Sequence, residues 1–258
     1  MKYLVSVPLV LLSLITSSEL SAQEGFQQKS VFPDGISLEY GVGSYAVRDE
    51  YISKERYSGT LPYFSLNWAR SHDGYVYDLG LQFRSSSDIR NNNVSAENYL
   101  FALNQGFLYS LRPISLFSKD VRVFVGPTTE LYFFYNRQNI AVSGFDYAQS
   151  FALLLSLGAR SEVILPIRQS LQAEASLAFS LLSLGFRMVD SEEDDTSPVK
   201  LLTLFSGANV SAGLGARYSL TSGLSVKLGY RFHMTRISSW DPLLSASDNA
   251  VVTLTYGW

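Results

Sequence analysis

Residues 224–236, LSVKLGYRFHMTR, place Leu224, Val226, Leu228, Tyr230, Phe232 and Met234 on one face of an extended chain. Ser225, Lys227, Gly229, Arg231, His233 and Thr235 fall on the other. Side chains alternate across a strand with a period of two, whereas a helix would scatter the same residues around its circumference. The pattern recurs along the chain. Ten alternating segments are read, at about 36–47, 60–71, 75–86, 98–110, 121–133, 149–164, 169–186, 200–220, 223–235 and 250–258. Such segments, separated by turn residues, are the pattern of strands that close into a barrel across a membrane.

The connections alternate too. HDG (72–74), PIRQ (166–169) and TSG (221–223) are short, and RPISLFSKD (112–120) is somewhat longer. Stretches 48–59, 87–97, 134–148, 187–199 and 236–249 are long and polar. If the chain starts in the periplasm, every short connection is periplasmic and every long one outward, as in membrane barrels. A soluble barrel or sandwich would place its apolar face inside. Composition separates the two. In SGANVSAGLGARYSL (206–220) the non-apolar face reads Gly207, Asn209, Ser211, Gly213, Gly215, Arg217 and Ser219, too small and too poorly charged for a water-exposed surface. Aromatics crowd the segment ends, at Tyr75, Tyr77, Phe83, Tyr99, Tyr109, Phe133, Tyr218 and Trp258, where interfacial girdles belong. The expected fold is all-β: a transmembrane, antiparallel, up-and-down barrel of about ten strands over 36–258.

Charge and cysteine usage remove other classes. The net charge of −3, with no basic run, leaves no footprint for nucleic acid. Without cysteine there is no disulfide, thiol nucleophile or thiolate metal site. His72 and His233 lie far apart, so no metal and no cofactor is expected. Residues 1–22 read as a signal peptide: Lys2, the apolar run YLVSVPLVLLSLIT (3–16), then small residues up to Ala22. Residues 23–35 then form a periplasmic N-terminal segment.

The chain resembles bacterial outer-membrane β-barrel proteins, and its last residues carry the resemblance most clearly. AVVTLTYGW (250–258) ends on an aromatic residue preceded by alternating apolar positions, Val252, Leu254, Tyr256 and Trp258. In that family this pattern is the signal read by the barrel-assembly machinery. The resemblance implies a Gram-negative cell outer membrane as location, and outer-membrane lipid, lipopolysaccharide and the assembly machinery as partners.

Closure of such a barrel turns the polar faces inward. That face carries Glu39, Asp78, Arg84, Arg122, Glu130, Arg160, Glu162, Glu174, Arg217, Lys227, Arg231 and His233, with Tyr63 and Tyr132 also inward. Glu39, Asp78, Arg122, Arg160, Glu162, Glu174, Arg217, Lys227 and Arg231 are expected to form a lumen charge network. Two readings compete. Either the charges pair and close a narrow interior, or they line a thin aqueous path and select solutes, as in a narrow porin-like pore. Pairing is the expectation. Segment NYLFALNQGFLYS (98–110) is apolar on both faces, which leaves its register open.

No catalytic residue is assigned. A ten-stranded count is similar to that of the outer-membrane proteases, which use paired acidic residues and a His–Asp pair near the outer rim. His233, Asp241, Asp190 and the run SEEDD (191–195) offer such groups, but the family's motif is not matched residue by residue. No Gly-x-Ser-x-Gly elbow is present. The expected role is structural or a narrow passive pore. The alternatives are a surface hydrolase, protease-like or lipid-directed, using His233 with loop carboxylates, or an adhesin or ligand-binding barrel acting through outer loops such as YFFYNRQNIAVSGFDY (132–147).

Overall fold

The first and last strands meet. β1 (Gly35–Asp49) runs antiparallel to β13 (Leu243–Gly257), from Gly35 opposite Gly257 to Asp49 opposite Leu243. A sheet whose ends pair has no edge, so every ladder group finds a partner without water. The computed structural model describes residues 34–72, 74–91, 94–116, 119–139, 148–187 and 197–258. The expected signal peptide, most of the segment 23–35, Asp190 and the run SEEDD lie outside the described residues.

Between the closing strands lie β2 (Ser53–Thr60), β3 (Tyr63–His72), β4 (Tyr75–Arg90), β5 (Ser95–Ser110), β6 (Ile114–Leu116), β7 (Lys119–Gln138) and β8 (Ala148–Arg168). They are followed by β9 (Leu171–Arg187), β10 (Val199–Thr203), β11 (Gly207–Ser219) and β12 (Leu224–Ile237). The ring contains ten strand positions, because two of them are interrupted. β2 pairs with the outer half of β1 and β3 with its periplasmic half. The break falls at Leu61 and Pro62, and proline has no N–H to give a ladder. β10 and β11 likewise succeed each other along β9, divided at Leu204–Ser206. β6 is a small flap on the periplasmic end of β7. The connection after β3 turns at Gly74, whose φ of +84° suits a residue without Cβ.

The strands are longer than their alternation suggests. β7 has 20 residues and β8 has 21, whereas a tilted strand crosses a bilayer in about 9–11. On β7 and β8 the excess lies at both ends: residues 136–138 and 148–150 beyond Tyr135 and Phe151, and residues 119–124 and 162–168 below the level of Tyr109. Of the stretches expected as long loops, 48–59 and 236–249 are largely strand, an outward excess: β1 turns into β2 through residues 50–52, and β12 into β13 through 238–242. Alternation fades there for a physical reason. Above the lipid the outward face meets water, so Arg48, Lys54 and Arg56 stand exposed where apolar residues would otherwise mark the strand.

Lower down, the outward face is apolar. Ile36, Leu38, Tyr40 and Val42 on β1, and Leu79, Leu81 and Phe83 on β4, are exposed. Two aromatic belts border this band. Trp68, Tyr77 and Phe107 touch in sequence at the periplasmic side, with ring centroids 5.6 and 4.8 Å apart. At the outer side Tyr99 meets Tyr135 at 6.1 Å, and Phe151 stacks on Phe186 at 5.5 Å. On β5, Tyr99 and Tyr109 are ten residues apart on one face, which at a tilt of about 40° spans roughly 25 Å, the height of a lipid-facing band.

Candidate functional site in the lumen

Five strands give the same reading of the interior from the periplasm outward. On β1 the inward residues pass from Glu39 to Tyr45 and Val47 and end on Asp49. On β7 they pass from Glu130 to Tyr132 and Phe134, then to Asn136 and Gln138. β8 runs from Arg160 and Ser156 to Leu154 and Ala152, then Ser150. β5 runs from Asn104 to Ala102 and Leu100, then Asn98. β9 runs from Glu174 through Ser183 and Gly185 to Arg187. The lumen is therefore layered: polar, apolar, polar.

The periplasmic layer holds a cavity of about 180 Å³, the share of roughly six waters. Among the described residues, five carboxylates and five cations line it: Glu39, Asp78, Glu130, Glu162 and Glu174 against Arg84, Arg160, Arg217, Lys227 and Arg231. Eight of them form two groups. Arg160 bridges from β8 to Asp78 on β4 at 2.6 Å and also binds Glu162 beside it. Arg231 meets Glu39 at 2.9 Å, while Lys227 lies 4.0 Å from Glu39 and 3.4 Å from Glu174, which also binds Arg217. Glu39 further accepts from the Thr253 hydroxyl at 2.7 Å. Ions held away from bulk water need partners of this kind, because desolvation costs several kcal/mol each. Small residues on β9 and β11, among them Ser176, Ala178, Gly213 and Gly215, leave the space into which the long side chains project.

Eight of the nine network residues expected from sequence thus line one cavity. Arg122 does not. It lies at the periplasmic end of β7, opposite Ile164 on the ladder, with Asp120 as a charged neighbour. Beside it Val76, Leu108, Phe124 and Ile164 form a small apolar cluster at the periplasmic end. Arg84, outside the expected network, donates to Ser247 Oγ at 2.6 Å and stands over the Tyr63 ring at 4.9 Å.

Above the cavity lies what sequence reasoning missed. Sixteen buried side chains, including Tyr45, Val47, Leu100, Tyr132, Phe134, Leu154, Leu202, Ile237, Leu243 and Trp240 of the β12–β13 turn, make one continuous cluster. Its members come from β1, β2, β4, β5, β7, β8, β10, β12 and β13, so it crosses the whole lumen. Beyond it Asp49, entirely buried, is the hub of a clamp. It pairs with Arg187, accepts from the Ser150 hydroxyl, and accepts from Asn136 Nδ2 at 3.1 Å. Asn136 in turn accepts from Asn98, and Asn98 from the Tyr45 hydroxyl, each at 3.0 Å. One signal for the apolar layer was present: the two-faced apolarity of 98–110, where Leu100 and Ala102 point into it.

His233 sits on the lumen face, buried. Its ring stacks on Tyr132 with centroids 5.8 Å apart, and Nε2 lies 3.2 Å from the Thr235 hydroxyl. Among the described residues no carboxylate pairs with it, and no group of acidic or histidine side chains could hold a metal ion.

No protein-family model and no curated protein sequence matches the chain. Solved structures do. The chain is similar to the outer-membrane protease OmpT from Escherichia coli, with 8% identity over 90% of this chain and 99% of that one, at a TM-score of 0.50. It is also similar to the translocator domain of the autotransporter NalP from Neisseria meningitidis, at 12% identity, 87% and 89% coverage and a TM-score of 0.48. Neisserial surface protein A matches at 12% identity, 86% and 97% coverage and a TM-score of 0.37. At these identities the likeness is one of fold: the chain is a β-barrel of the bacterial outer-membrane kind.

Proposed function

We propose that this protein is an outer-membrane barrel with a sealed lumen, which acts as a structural element and as a stiff platform for its outer rim rather than as a conduit. The observation that carries the reading is the apolar layer. A chain of water or ions cannot cross side chains packed in contact without losing hydrogen bonds worth several kcal/mol per polar group. Below the layer the lining charges balance, five against five, which gives an entering ion no preferred sign. Above it, β1, β12 and β13 continue past the top of the apolar band at Val42 and Tyr230, out to Asp49, Ile237 and Leu243, and the Asp49 clamp joins β1 to β7, β8 and β9 there. That outward extension supports a surface role over a purely embedded one.

The narrow-pore reading keeps one support, the polar cavity itself, and needs the layer to open. The hydrolase reading draws on His233, whose burial beneath the layer and lack of a paired carboxylate among the described residues give it no acid–base partner. Proteoliposomes test the proposal. Those with the wild-type barrel retain a small trapped sugar as well as protein-free vesicles do. Replacing Tyr132, Phe134 and Leu154 together by serine makes them leak, provided the variant keeps its folded, heat-modifiable mobility. Leakage through the folded wild type overturns the proposal.

A further inference from the structure

Of the charged side chains that line the lumen cavity, Arg84 and Glu130 have no ion-pair partner among the described residues. Both lie at its upper end, against the apolar layer. Arg84 stands three inward positions above Asp78 on β4, and Glu130 is the inward residue just below Tyr132 on β7. Their charged heads are anchored apart. Arg84 reaches across to β13, where it donates to Ser247 Oγ at 2.6 Å. Glu130 is tied to β11, accepting from Asn209 Nδ2 at 3.1 Å. His233 lies between these anchors: its ladder partners are Ser247 on β13 and Ser211 on β11, one inward position from Asn209. The anchors are thus two strand spacings apart, roughly 10 Å.

A second observation points to a ligand there. Asn209 is 3% exposed, and its Oδ1 has no hydrogen-bond partner. Buried polar atoms are almost always satisfied, so an acceptor orphaned beside a carboxylate calls for a cationic donor. Arg84, also buried, gives one N–H to Ser247 and meets no carboxylate among the described residues, so its planar fork calls for an anion. A lone cation at Glu130 would leave Arg84 uncompensated, and a lone anion at Arg84 would leave Glu130 so. One molecule that carries both charges answers both, and it keeps the cavity balanced at five against five. A gap of this width is spanned by an α-amino acid with a charge-assisted hydrogen bond at each end.

We propose that the upper end of the lumen cavity is a binding pocket for a small zwitterionic α-amino acid, loaded from the periplasm. Its ammonium sits between the Glu130 carboxylate and Asn209 Oδ1, and its carboxylate lies on the Arg84 guanidinium. The side chain takes the space left by Ser156, Gly158 and Ser180. A small amino acid displaces about three of the roughly six waters the cavity can hold. The apolar layer above makes the pocket blind. The inference goes beyond the sealed-lumen reading: leaking vesicles would refute the seal, and the titration below would still read the pocket.

The test titrates the refolded barrel, in non-ionic detergent, by calorimetry with glycine, L-alanine and L-serine. Two analogues of alanine accompany them: lactate, which lacks the ammonium, and alaninamide, which lacks the carboxylate. The wild type binds at least one of the amino acids saturably, and the matching analogues bind about tenfold or more weakly. Glu130→Gln, close to the wild type in shape, weakens amino-acid binding by a similar factor, as does Arg84→Lys, which keeps the charge and loses the fork. Arg112→Gln, at an exposed periplasmic-side position, leaves binding unchanged. The analogue series needs only the wild-type barrel, so a variant that does not refold still leaves a decisive result. Absence of saturable binding of all three amino acids overturns the inference. Equal affinity for lactate or for alaninamide also overturns it, since the site would then hold a simple anion or cation. Undiminished binding by the folded Glu130→Gln barrel places the ligand elsewhere and overturns it as well.

Discussion

Below Tyr63 and Tyr132 the lumen is filled by ions around a cavity; above them it is filled by hydrocarbon and then by one buried carboxylate with its partners. The two regions use the same ten strand positions, yet they differ in what a lost side chain leaves behind. In the lower region, partners are redundant and space is at hand. Glu174 and Arg217 retain side-chain exposures of 16% and 11%, and Lys227 reaches two carboxylates. In the upper region Asp49 and Arg187 retain 0% and 1%, so neither can turn to water. The comparison teaches that a barrel interior can tolerate charge in two ways, by sharing it or by locking it.

Removing the locked partner sharpens that contrast most. Asp49→Ala leaves Arg187 uncompensated in a dry site and costs about 3–5 kcal/mol, read as the denaturant midpoint of the refolded barrel. Asp49→Ala combined with Arg187→Met recovers most of the loss; a double variant no more stable than the single would break the locked-pair account. Two glycines give the next comparison. A Cβ at Gly185 would come within 2.9 Å of both Leu202 and Trp240 in the apolar layer, so Gly185→Ala costs about 1–3 kcal/mol by overpacking. At Gly213 the nearest atom is the Ser176 hydroxyl at 2.7 Å, which can rotate into the cavity, so Gly213→Ala changes stability by about 0.5 kcal/mol or less. The smaller matched partner to Asp49→Ala is Glu174→Gln, expected at about 1 kcal/mol because water reaches the site and the amide still accepts a hydrogen bond. Equal costs at Asp49 and Glu174 would dissolve the distinction between the regions.

How much of this was legible depended on what each face meets. Within the lipid band the outward residues are apolar and the inward ones polar, so β12 could be read directly from LSVKLGYRFHMTR, and with it the inward positions of Lys227, Arg231 and His233. Outside the band both faces change partners. On β13 the stretch LLSASDNA shows no apolar stripe because Ala246 and Asp248 face water and Ser245 and Ser247 face the lumen, and β13 therefore begins at Leu243 rather than at 250. The Asp49 clamp was hidden for the same reason: its members, from Asp49 to Asn136 and Arg187, sit in stretches that read as loops. The apolar layer left a faint mark in the two-faced apolarity of β5, which a period-two reading treats as ambiguity of register. That ambiguity was the lumen turning apolar.

Single-channel recording of the refolded wild-type barrel in a planar bilayer tests the sealed lumen most directly. The account predicts an inserted, heat-modifiable protein that passes no discrete current at either polarity. Stable, repeated openings from the folded wild type would contradict it.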